Sequence, residues 1–258
     1  MITHKNISIF FIFILLILNI LNFYVTVNFL WFLGIVLIWI GINAVGSSII
    51  SSNYHVKAYC NNPLEIQKKI AITFDDGPSL YTLEVLELLK KYNAKATFFC
   101  IGKNIEAHPE IVQKVIAEGH LVGNHSYSHS KFFDFYNENK IKEELVKTDL
   151  LLEKFTSSKI NFFRPPYGVT TPSIRRALQK TGHKVIGWNI RSLDGGTQNQ
   201  ELIFKRIIKR VSPGGIVLLH DTASHSVLVL EQFLQFLQQH NYEVISIEEL
   251  LNLKAYAN

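Results

Sequence analysis

Residues 70–78 read Ile70-Ala71-Ile72-Thr73-Phe74-Asp75-Asp76-Gly77-Pro78. Five uncharged residues, mostly β-branched or aromatic, lead into two carboxylates and a Gly-Pro turn. A short apolar run closed by turn residues is the pattern of a buried strand. Leu83, Leu86 and Leu89 then recur at three-residue spacing, which starts a helix. The same alternation continues to the end of the chain. Further strands are expected at 96–101, 120–123, 160–163, 184–188, 215–219 and 242–245. Helices are expected at 111–118, 141–155, 172–181, 201–211, 227–240 and 248–253. Seven strands alternating with helices imply an α/β fold, with a parallel sheet covered by helices.

Upstream the composition changes. Of 258 residues, 18% are charged against a usual ~25%, and the deficit lies at one end. Between Met1 and Ser52 the only Lys, Arg, Asp or Glu is Lys5, and Ile7 to Ile50 contains no His either. A helix over 7–50 would be about 66 Å long, roughly twice the hydrocarbon core of a bilayer. The stretch therefore reads as two transmembrane helices, about 7–25 and 29–49, broken at Thr26 and Asn28, with Tyr24 and Trp31 as interface aromatics. A signal peptide followed by a second anchor fits less well. The first apolar run exceeds a 7–15-residue signal core, and no small-residue cleavage site follows it. Residues 1–52 are thus expected as a membrane anchor in the lipid bilayer, 53–67 as a linker and 68–253 as the folded domain. Without Lys5, the remaining chain holds 25 basic and 21 acidic residues, too mild a balance to argue for nucleic acid. Oligomeric state is not legible.

The ionisable residues that stand out each follow an expected strand. Asp75 and Asp76 follow the first, His125 and His129 the third, Arg164 the fourth, Asp194 the fifth, and His220 with Asp221 the sixth. In α/β barrels the loops at that end of the strands build the active site. His125 and His129, four residues apart, can present both imidazoles on one side. With a carboxylate from another strand end they form a set of two histidines and one carboxylate that leaves coordination room for water. Zinc is the expected ion, and cobalt or nickel would also fit. Arg164-Pro165-Pro166-Tyr167-Gly168 is a stiff elbow that can hold its guanidinium against a carboxylate.

In order, Thr73-Phe74-Asp75-Asp76-Gly77-Pro78, His125-Ser126-Tyr127-Ser128-His129, Arg164-Pro165-Pro166-Tyr167-Gly168 and Leu218-Leu219-His220-Asp221 resemble the motifs of the polysaccharide deacetylase family, carbohydrate esterase family 4. The resemblance covers about residues 68–253. It implies a distorted (β/α) barrel of about seven strands and metal-dependent removal of N-acetyl or O-acetyl groups from a polysaccharide or amino-sugar oligomer, including xylan, with N-acetylglucosamine-containing glycan expected first. Carried over by residue, it makes Asp75 the general base, Asp76, His125 and His129 the metal ligands, and Arg164 the partner of Asp75. Tyr167 would stabilise the oxyanion through its backbone N–H. His220 would be the general acid, paired with Asp194, and Leu218 would line the acetyl pocket. Where many members have Asp-Trp, this chain has Asp194-Gly195-Gly196, so Trp188 is expected to supply part of the groove wall. Pro165 is counted with Leu218 and Trp188 among the substrate-facing residues.

Two rival readings use the same barrel: an amidase for small cyclic amides, and a glycan-binding membrane protein without catalysis. The second would need a chemical residue to be missing, and none is. A membrane anchor argues for a polymeric or lipid-linked substrate over a small amide. Two spans return the chain to the side of Met1. Lys5, Lys57, Lys68 and Lys69 flank the spans and the connecting turn has no Lys or Arg, so charge bias leans toward a cytoplasmic domain.

Overall fold

The computed structural model describes residues 3–257. Helices α1 (His4–Leu21) and α2 (Phe29–Ser48) form an apolar hairpin in which Phe11 stacks on Trp39. At ~1.5 Å per residue they are about 27 and 30 Å long, matching a hydrocarbon core of ~30 Å. The first helix lies a few residues earlier than the expected 7–25. Thr3 caps it by accepting the Asn6 N–H, and the Asn22 side chain accepts the Val27 N–H and turns the chain out after Leu21. Asn28 restarts α2 by accepting the Leu30 N–H.

The rest is one α/β unit. Its strands are β1 (Ala58–Tyr59), β2 (Lys69–Asp75), β3 (Ala96–Cys100), β4 (Leu121–Asn124), β5 (Lys159–Ile160), β6 (Phe162–Phe163), β7 (Lys184–Ile186), β8 (Ile190–Arg191), β9 (Gly215–His220), β10 (Glu243–Val244) and β11 (Tyr256–Ala257). The helices are α3 (Leu80–Lys91), α4 (Gly102–Ala107), α5 (Pro109–Ala117), α6 (Glu138–Thr156), α7 (Pro172–Thr181), α8 (Gln200–Ile208), α9 (Ser224–Gln239) and α10 (Ile247–Leu251). The main sheet is parallel in the order β1-β7-β6-β4-β3-β2-β9-β8, with β10 also beside β2. Strands β5 and β11 pair antiparallel apart from it.

That order requires curvature. Strands β7 and β8 lie six places apart, about 29 Å across a flat sheet at ~4.8 Å per strand. Ile186 and Ile190 are joined by a chain that reaches at most about 14 Å. The sheet therefore curls until its two ends face each other, giving the expected distorted barrel, left open because β7 and β8 do not pair with each other.

Strand alternation sorts the side chains. Ile70, Ile72 and Phe74 of β2 join Val217 and Leu219 of β9 and the apolar faces of α3 and α9. Ala71 and Ile216 point the other way, into the barrel, with Phe99, Phe162 and Ile186. Ile247 and Leu250 of α10 belong to the same interior cluster. Thr73 and Asp75, and Leu218 and His220, share the inward parity and continue toward the strand ends.

Three expected boundaries shift. The 160–163 strand divides at Asn161, because β5 turns to pair with β11; the folded unit thus runs past 253 to Ala257. The 184–188 strand ends at Ile186, and a separate β8 crosses to β9. Residues 53–67 are not a free linker. Tyr54, His55, Ala58 and Cys60 are buried, β1 extends the sheet beside β7, and Asn61 bridges to Gly215.

Candidate active site

Parallel strands bring their C-terminal ends to one rim. Asp75 ends β2 and His220 ends β9, and the two are direct register partners. Asn124 ends β4 opposite Phe163, which places His125 and Arg164 side by side at the next step. Around a cavity of about 350 Å3 stand Asp75, Asp76, His125, His129, Tyr167, Trp188, Leu218 and His220, with Arg191, Leu193 and glycines 168, 195 and 196.

The two adjacent aspartates face different partners because their backbones differ. Asp75 is still strand, and its inward carboxylate receives Arg164 Nη1 at 2.7 Å. Arg164 is fully buried and all three of its side-chain nitrogens donate. It gives hydrogen bonds to Thr73 Oγ1 at 2.7 Å and to the carbonyls of Ile186 and Gly187 at 3.0 Å. Phe99 lies under the guanidinium at 4.1 Å. Asp76 has φ 72°, which turns its side chain away from Arg164 and toward the histidines. Asn104 ties down its carbonyl at 2.7 Å.

Asp76 Oδ1 lies 3.4 Å from His125 Nε2 and 3.2 Å from His129 Nε2. His125 Nδ1 is 2.7 Å from the Arg164 carbonyl, which can only accept. Nδ1 therefore carries a proton, and Nε2 is turned toward Asp76. His129 is set by a positive φ of 46° and by its N–H donating to Ser126 Oγ. One ligand atom from each of the three residues lies within 4.8 Å of the others. Asp76 Oδ1 is buried and has no hydrogen-bond donor, an orphaned anionic oxygen aimed at two imidazole nitrogens. This donor set suits a divalent cation, with two nitrogens and one carboxylate oxygen facing an open cavity.

Across the cavity His220 Nδ1 meets Asp194 Oδ1 at 2.7 Å, and the His220 N–H donates to Asp194 Oδ2 at 2.9 Å. Nε2 faces the cavity, 3.9 Å from Asp76 Oδ2. Burial works to lower the His220 pKa, but the bond and charge of Asp194 outweigh it and raise it to about 9. Ser192 and Ser226 each donate to the Asp194 carboxylate, at 2.6 and 2.8 Å.

Trp188 lines the cavity wall. Its ring lies so close to Gly168 (φ 71°) that a Cβ there would come within 2.5 Å of it. Leu218 is on the wall; Pro165 is not. It is buried in the elbow at φ −68°, where it shapes the turn. The sequence reading did not single out Thr73, Ser192, Ser226, Arg191 or Leu193. Thr73 shares the inward parity of Asp75, which was a usable signal. Ser226 sits on α9, and no local pattern ties it to Asp194.

A sequence model described as polysaccharide deacetylase matches residues 65–186. A peptidoglycan-N-acetylglucosamine deacetylase of Bacillus cereus is 34% identical over 194 residues, covering 73% of this chain and 90% of the relative. A solved peptidoglycan N-acetylglucosamine deacetylase in complex with a benzamide ligand superposes with TM-score 0.71 at 28% identity, over 78% of this chain and 95% of the other. A pseudoenzyme of carbohydrate esterase family 4 from Bacillus anthracis superposes with TM-score 0.67 at 28% identity, over 72% of this chain and 66% of its own.

Proposed function

The chain belongs to the polysaccharide deacetylase family, and on that footing we propose that it is a metal-dependent hydrolase removing N-acetyl groups from an N-acetylglucosamine-containing glycan. One observation carries the reading: the Asp75–Arg164 pair, the Asp76–His125–His129 cluster and the His220–Asp194 pair converge on one cavity. A non-catalytic reading is disfavoured because each of these chemical groups is present at the cavity.

Asp76, His125 and His129 would hold the ion, zinc first and cobalt or nickel next. When bound, it polarises an acetyl carbonyl and lowers the pKa of a water. Asp75, aimed by Arg164, would take a proton from the attacking water as the water oxygen bonds to the acetyl carbon. The backbone N–H of Tyr167 donates to the developing oxyanion, a contribution of about 2.7–4 kcal/mol for one such donor. His220 enters protonated and gives its Nε2 proton to the leaving nitrogen, with Asp194 holding the ring in place. Acetate and a free amine leave.

The test is acetate release by the metal-loaded full chain from peptidoglycan, chitin oligomers and acetylxylan, with small cyclic amides alongside. Release from amides alone would establish the amidase reading. No release from any of them, with glycan retained, would establish a binding protein. Two considerations oppose each other on sidedness. Charge bias leans toward a cytoplasmic domain, whereas peptidoglycan lies across the membrane. A phosphatase fused after Asn258 separates them: activity in intact cells places the domain outside and favours the envelope polymer.

A further inference from the structure

A second cavity, about 510 Å3, opens where the apolar hairpin meets the domain. The start of α1, the segment after α2, one side of α7 and the entry to β7 line it. Lys5, Lys57, Arg175 and Lys184 come one from each of these elements, and no acidic residue shares the wall. Among the described residues, none of the four joins an ion pair or donates a side-chain hydrogen bond; Lys57 only lies over the Tyr59 ring at 4.7 Å. The contrast within α7 is sharp. Arg176 and Lys180 both pair with Glu138 on the outer side, while Arg175, next in sequence, faces the cavity with no carboxylate. Four like charges from four elements thus line one cavity, Lys5, Lys57 and Arg175 exposed and Lys184 half-buried, a basic wall without a carboxylate that can receive an anion.

The hairpin sets the depth of this cavity. The His4 N–H donates to the Tyr54 carbonyl at 3.0 Å, and the Thr170 N–H to the Ser47 carbonyl at 3.0 Å. Ser47 Oγ and His55 Nε2 are 2.9 Å apart. The first turn of α1 and the last turn of α2 are thereby locked to the cavity wall. With α1 and α2 as spans, a reading on which this placement rests, the cavity lies at the end of both helices, where lipid phosphates stand. Basic hollows at that level attract anionic headgroups.

We propose that this cavity binds a phosphate-bearing anion, in the first place the headgroup of an anionic phospholipid. Such a ligand would fix the orientation of the catalytic rim relative to the bilayer.

The experiment uses the full chain in a non-ionic detergent, freed of lipid, and reads bound adducts by native mass spectrometry and melting temperature. The probes are phosphatidylglycerol, phosphatidylcholine with the same acyl chains, and inorganic phosphate. One phosphatidylglycerol should be retained, with affinity at least about tenfold above phosphatidylcholine. Lys57→Glu with Arg175→Glu should abolish that preference, and Lys57→Gln with Arg175→Gln should weaken it if the reversal does not fold. Arg176→Glu, on the paired side of α7, should leave it intact. Stabilisation by inorganic phosphate alone, lost in the same variants, would assign the site to soluble phosphate compounds instead of lipid. Equal retention of the two lipids without a phosphate effect, or a preference untouched by charge reversal, would overturn the proposal. Alkaline carbonate washing of membranes tests the spans separately: release of the protein would reject them while the phosphate arm still reports on the cavity.

Discussion

Replacing Asp194 by Asn tests the acid half of the site. The substitution keeps the shape of a residue that is 1% exposed and held by Ser192 and Ser226, but removes the charge 2.7 Å from His220 Nδ1. With that charge gone, burial is opposed only by the charges of Asp75 and Asp76, and the His220 pKa should fall from about 9 toward the ordinary 6.5. The interval, at about 1.4 kcal/mol for each pH unit, corresponds to about 3–4 kcal/mol. If His220 must be protonated for turnover, the alkaline limb of the pH–rate profile should move down by two or more pH units. At pH 8 the protonated fraction would drop about 30-fold, while the loss near pH 5.5 would be small. The linked stability has a definite sign. A pKa raised on folding contributes fully below 6.5 and is lost as pH climbs through about 9, so the wild-type chain should lose stability over that window and the variant should not. Acetate release and melting temperature, each measured from pH 5 to 10, read both effects. An alkaline limb that stays in place in Asp194→Asn would refute His220 as the acid tuned by Asp194.

Three further outcomes are expected. Asp75→Asn should retain about one bound divalent ion yet lose about 10²–10⁴-fold in turnover, whereas Asp76→Asn and His129→Ala should lose the ion as well; equal metal content in the two Asp variants by elemental analysis would reject the division of roles. Arg164→Met should destabilise by about 3–5 kcal/mol, since it leaves the Asp75 carboxylate and two carbonyls buried without a donor; a melting temperature close to wild type would contradict that. Gly77→Ala should cost about 1–3 kcal/mol and lower activity, because its Cβ would collide with the Asp221 carboxylate packed beneath the turn; unchanged melting and turnover would show that the turn has room.

Local pattern made much of this protein legible. Apolar runs closed by Asp75, His125, Arg164 and His220 mark strand ends, and parallel strands must present those ends on one face, so the residues of the rim follow from the chain alone. The uncharged length of 7–50 likewise declares two helices before any packing is known. What packing alone decided are relations between distant segments. The jump from β7 to β8 curls the sheet into an open barrel. The extended backbone at Asp75 and the positive φ at Asp76 send adjacent carboxylates to Arg164 and to the histidines respectively. Ser226 reaches Asp194 from a separate helix, and β1 turns an expected linker into part of the sheet. The convergence of Lys5, Lys57, Arg175 and Lys184 belongs to the same class. Periodicity reports which face of an element is buried; it carries no information about which other element will lie against that face, because that depends on the summed packing of the whole chain.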